Sequence, residues 1–86
     1  MRLTYSKVFL KRLSKLPVSV QEKTDGLLLL LSVDIRHPLL HTKRLRTMDD
    51  LYSFRIGRDY RCIFRILDTE TVHLVDIAHP KDIYRG

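Results

Sequence analysis

LYSFRIGRDYRCIFRI, residues Leu51 to Ile66, reads as two strands closed by a tight turn. Tyr52, Phe54 and Ile56 alternate with Ser53 and Arg55; Tyr60, Cys62, Phe64 and Ile66 alternate with Arg61, Ile63 and Arg65; Gly57 to Asp59 supply turn chemistry. Successive side chains on a strand point to opposite faces, so the aromatic set faces a core while Arg55, Arg61 and Arg65 share the other side. A sheet face carrying guanidinium groups attracts an anionic partner.

Outward from this hairpin, Asp68 to Glu70 make a second turn, and Thr71 to Ala78 (TVHLVDIA) is apolar on both faces, as expected of an internal strand. Upstream, Asp34 to Arg46 (DIRHPLLHTKRLR) has no sustained period and reads as a loop, because His37-Pro38 disfavours helix. Its His41, Lys43, Arg44 and Arg46 extend the positive surface toward the arginine face or are simply solvated. At the start, Arg2 to Tyr5 is a short strand, and Ser6 offers an oxygen to cap a helix running to about Lys15. That helix has Phe9, Leu13 and Leu16 on one stripe and a basic back of Lys7, Lys11, Arg12 and Lys15. Pro17 ends it. Ser19 with Glu22 then reads as a capping box opening a second helix, faced by Val20, Thr24, Leu27, Leu28 and Leu31. Gly26 inside it is tolerated if that face is buried or if close packing requires it. The order is β-α-α-β-β-β: an α+β domain with a helical hairpin packed on a small, mostly antiparallel sheet.

With 86 residues there is room for one domain, spanning 1–86, and one modest core. Sixteen Lys and Arg against ten Asp and Glu give a formal charge of +6, the footprint of a nucleic-acid or acidic-protein binder. Cys62, alone and in the apolar register, reads as a small buried hydrophobe. No apolar run of signal-peptide or membrane-span length occurs, so a cytoplasmic protein away from membranes is expected. His37, His41, His73 and His79 are scattered and lack carboxylates at ligand spacing, so no metal is expected. There is no G-x-G-x-x-G, P-loop or hydrolase signature, and no cofactor is expected.

What remains is cationic and acid-base chemistry suited to a phosphodiester. Arg meets phosphate oxygens in pairs and stays charged, so Arg55 and Arg61 are placed to grip a scissile phosphate, with His79 and Tyr84 to move protons. Metal-free RNA cleavage needs a 2′-hydroxyl to lose a proton, positive charge at the phosphorane, and a proton for the leaving 5′-oxygen. Each residue also has an ordinary alternative: Tyr84 as an anchor of the C-terminus, His79 as a satisfied strand-end residue, Arg65 as the partner of Asp68 or Glu70.

At DLYSFRIGRDYRCIFRI followed by VHLVDIAHPKDIYR, the sequence resembles the RelE/ParE superfamily of toxins from type II toxin-antitoxin pairs, in its RelE-like branch. The likeness covers nearly the whole chain. It implies a compact, microbial-ribonuclease-like toxin that enters the ribosomal A site and cleaves mRNA without metal, and a cognate antitoxin that wraps and neutralises it. By this resemblance Arg61 matches the arginine at the scissile phosphate, Arg55 a basic residue of the preceding strand, Tyr84 a tyrosine positioning the substrate base, and His79 an acid or base. Lys43 or Arg44 stand for basic loop residues, and Lys81, with Arg65, completes the RNA-binding set. Two positions depart from the pattern: Pro80 stands where many relatives have a basic residue after the histidine, and Ser53 where some have a lysine. The same fold in the ParE branch implies an alternative, a non-nucleolytic inhibitor of DNA gyrase or a catalytically decayed, antitoxin-binding relative.

Overall fold

The computed structural model describes residues 1–45 and 50–79, and the expectations for Arg46, Pro80, Lys81 and Tyr84 lie outside those residues. Strand β1 (Arg2–Tyr5) leads into α1 (Lys7–Ser14) and α2 (Val18–Val33); a 3-10 turn (Pro38–Leu40) precedes β2 (Lys43–Arg44), β3 (Leu51–Ile56), β4 (Tyr60–Ile66) and β5 (Thr71–Ala78). One sheet runs in the order β1-β5-β4-β3-β2. β1 is parallel to β5, and the other three pairings are antiparallel. The α+β reading therefore holds, with two helices joined by a short connection and laid on a mostly antiparallel sheet.

The central hairpin forms as its alternation dictates. Phe54, Cys62 and Phe64 are fully buried and Ile56 nearly so, and they meet Phe9, Leu28, Leu31, Leu40, Val72, Leu74 and Ile77 in one core. Each such side chain contributes about 1.5–3 kcal/mol relative to exposure. Gly57 turns the chain at φ +61°, where a side chain would be strained. β5 lies between β1 and β4, as its apolar run requires. Its register slips by one residue between Ile63 and Phe64, leaving Val75 as the extra residue of a bulge.

Ser6 fastens this bulge to the first helix. Its hydroxyl accepts from the Phe9 amide at 2.9 Å, capping α1, and donates to the Val75 carbonyl at 2.6 Å. The cap thus fixes α1 over β5, where Phe9 enters the core. Arg12 adds an ion pair with Asp76 at 3.5 Å.

Three expectations are corrected and a fourth is narrowed. The Ser19–Glu22 capping box does not form: α2 begins two residues earlier than that box places it, at Val18, with Pro17 as its cap. The fixed φ of Pro17 (−54°) starts the helix, and its carbonyl accepts from the amides of Val20 and Gln21. The connection's spare carbonyls, at Ser14 and Leu16, accept instead from the Gln21 side chain. Of the two conditions for tolerating Gly26, the buried face holds through Thr24, Leu28 and Leu31, while close packing does not, because open space surrounds the position a Cβ would take. The segment from Asp34 is not all loop: Lys43 and Arg44 pair with β3 and give the sheet a fifth strand. Arg65 pairs with neither Asp68 nor Glu70 but with Asp50, at 3.0 Å. The Leu51–Arg65 register explains that choice, because it brings the residue before β3 alongside the end of β4.

Candidate nucleic-acid interface

The face of the sheet turned away from the apolar core is organised in cross-strand rows. One row runs Arg55, Arg61, Ala78; the next Lys43, Ser53, Ile63, Asp76; another Leu51, Arg65, His73, Thr4. Directly opposed residues have Cβ atoms about 4.5–5.5 Å apart, so Arg55 and Arg61 form an adjacent pair of like charges. Such a pair costs roughly 0.2–1 kcal/mol unless an anion lies between the cations. Arg55 is exposed, whereas Arg61 is half-buried and its Nη1 is enclosed with no hydrogen-bond partner among the described residues. A guanidinium donor enclosed in this way is left unsatisfied by the described residues, which costs free energy unless a further acceptor meets it.

The remaining sequence-derived residues divide between surfaces. Lys43 falls in register with the arginine face, while Arg44 is opposite Tyr52, on the other side of the sheet. This separates two residues that were interchangeable in sequence. Arg65 also lies on the arginine face; its enclosed Nε sits 3.0 Å from an Asp50 carboxylate oxygen as an ion pair without hydrogen-bond geometry. His79 follows Ala78, the register partner of Arg61, at the end of β5, and its ring stands edge-on to Tyr60 at 6.2 Å. Ser53 is nearly fully buried between Lys43 and Ile63.

Sequence reasoning passed over His73. It is half-buried in the row that holds Arg65, and its Nδ1 lies 2.6 Å from the Thr4 hydroxyl. The signal was the two-residue period of β5, which sets His73 opposite in phase to Val72 and Leu74. Cys62 belongs to the core side, where burial and then the negative charge of Asp76 push its thiol well up, so it is protonated and inert at neutral pH. Among the described residues no group of three His, Cys, Asp or Glu side chains is arranged to hold a metal ion.

A family model described as "ParE toxin of type II toxin-antitoxin system, parDE" matches residues 3–84. The chain belongs to that toxin family. Comparison with curated protein sequences finds no match. Among solved structures, a YoeB/ParE toxin from Agrobacterium tumefaciens superposes with a TM-score of 0.79 at 15% identity, covering 92% of this chain and 98% of the other. The RelB-RelE antitoxin-toxin complex of Methanococcus jannaschii gives 0.77 at 20% identity, with 95% of each chain covered. The RelBE toxin-antitoxin complex of E. coli gives 0.74 at 22% identity, over 91% of this chain and 94% of its counterpart. At these identities the structural likeness establishes the toxin fold. No helix among the described residues is long and apolar enough to cross a membrane.

Proposed function

We propose that this toxin is a metal-free endoribonuclease that cuts mRNA in the ribosomal A site and is neutralised by a cognate antitoxin. The observation that carries the reading is the opposed Arg55–Arg61 pair, with an enclosed Arg61 donor that lacks a protein partner among the described residues. In the cleavage step the 2′-hydroxyl oxygen bonds to the adjacent phosphorus and the bond to the 5′-oxygen breaks. The products are a 2′,3′-cyclic phosphate and a free 5′-hydroxyl. Negative charge accumulates on the non-bridging oxygens of the phosphorane, where two guanidiniums stabilise the transition state more than the ground state. Arg61 is the principal donor in this proposal and Arg55 the second, while His79 and Tyr84 carry protons and Lys43, Arg65 and Lys81 steer the RNA backbone. Solved relatives captured with RelB or YefM antitoxins support a cognate partner here. An acidic segment covering the arginine face suits this surface.

A second reading has its own support: the matching family model carries the ParE description, which points to gyrase inhibition without RNA cleavage. One experiment separates the two, cleavage of a defined mRNA in a purified translation system with and without ribosomes. Wild-type protein is expected to give ribosome-dependent cuts, and Arg61→Ala to lower the rate about 10²–10³-fold. Folded wild-type protein that cuts nothing but inhibits DNA supercoiling overturns the nuclease reading in favour of the gyrase one.

A further inference from the structure

The segment before β2 builds a second basic surface, on the side of the sheet opposite the paired arginines. Its sequence places Arg36, His37, His41 and Arg44 within nine residues, and the local structure holds them in a wall. The Asp34 carboxylate accepts from the Arg36 amide at 3.0 Å, and the Thr42 hydroxyl donates to the Ile35 carbonyl at 2.9 Å, closing the loop on itself. His37 caps the 3-10 turn, its Nδ1 accepting from the Leu39 amide at 3.2 Å. With that nitrogen as acceptor, the neutral ring carries its proton on Nε2 and is a donor there. His41, at φ 49° and ψ 49°, turns the chain in the left-handed region so that Lys43 and Arg44 reach β3.

The result is a cavity of about 430 Å³ lined by Arg36, His37, His41, Thr42, Arg44 and Tyr52. That volume lies in the range of small-molecule sites, ~300–1,000 Å³. No carboxylate is among the described lining residues. Arg44 and Tyr52 are direct cross-strand neighbours, and the Tyr52 ring is stacked on Phe64 at 5.7 Å between centroids and 18° between planes. A guanidinium thus stands beside an aromatic ring that is already oriented by the core. Phosphate oxygens suit the cationic and donor groups, and a base suits the ring.

We propose that this cavity is a nucleotide subsite, taking one base and its phosphate from a single-stranded RNA that passes around the β2 edge. β2 is only two residues long, with Lys43 in register with the arginine face and Arg44 on the cavity side, so an RNA backbone crossing that edge meets both surfaces. Mononucleotide binding stands independently of any cleavage activity; the RNA source of the nucleotide rests on the nuclease reading.

The test is amide chemical-shift titration of the full chain with adenosine 5′-monophosphate, alongside inorganic phosphate and adenosine alone. The mononucleotide is expected to shift Thr42, Arg44 and Tyr52 and to bind tighter than either fragment. Arg36→Gln and His41→Asn, the latter keeping a residue that tolerates left-handed backbone, are each expected to weaken it by about fivefold or more. Shifts absent or confined to the Arg55–Arg61 face, or affinity unchanged in both variants, overturn the subsite. A 2′-O-methylated RNA heptamer, which lacks the attacking hydroxyl, identifies the source: shifts on both faces, with only the cavity set lost in Arg36→Gln, support RNA. Heptamer shifts on the arginine face alone, with the mononucleotide still entering the cavity, overturn the RNA assignment. If the heptamer engages both faces yet no mRNA is cut, the nuclease reading fails and the subsite stands.

Discussion

The two faces of β3 and β4 are made from the same sixteen-residue stretch and obey opposite rules. On the helix side Phe54, Cys62 and Phe64 have no exposure at all and belong to one apolar cluster. On the other side, separated by one peptide unit at each step, Arg55 opposes Arg61 and Arg65 leans on Asp50. The first face is satisfied from within the fold. The second holds like charges closer than folding alone favours.

The strongest way to break this contrast is in the core. Phe64→Ala removes a fully buried ring that contacts both Phe54 and Tyr52, and about 3–5 kcal/mol of stability is expected to go with it. For a domain of this size that is much of the total, so urea titration is expected to show a largely unfolded chain at low denaturant. A smaller effect of opposite sign is expected on the outer surface of α2. Gly26→Ala places a methyl in open space in a helix interior, and a gain of roughly 0.4–1 kcal/mol is expected in the same titration. The smallest change is the most discriminating. Arg61→Gln keeps much of the side-chain stem while removing the like charge, so stability is expected to stay level or rise by up to about 0.5 kcal/mol, more at low than at high salt. A loss above roughly 1 kcal/mol makes Arg61 a structural residue and erases the contrast.

Those magnitudes track what was readable in the chain beforehand. The hairpin, its turn and the Arg55–Arg61 proximity were legible because alternation and a three-residue turn are local signals that fix register. The α2 start was misread because Ser19 and Glu22 match a capping pattern that Pro17, two residues earlier, pre-empts by fixing φ. β2 was invisible because two residues are one period of a strand and carry no pattern. With β2 hidden, Lys43 and Arg44 looked equivalent, and only pairing with Ser53 and Tyr52 assigns them to opposite faces. The Thr4–His73 contact depends on long-range register, which no local window contains, whereas Asp50–Arg65 follows from the hairpin register itself and was hidden by the nearer carboxylates of Asp68 and Glu70.

The pairing of β1 with β5 also sets an order of assembly. Thr4 and His73 stand 69 residues apart in the chain, and β5 is the strand on which β1, α1 and β4 all converge. Until Thr71 to Ala78 have been synthesised, Phe9 has no strand to pack on and β3–β4 is a hairpin of the kind that is marginal by itself in water. A nascent chain halted before that point lacks the rigid platform that holds Arg55 against Arg61. The domain therefore completes its core only late in its own translation, once β5 has joined β1 and α1 to the central hairpin.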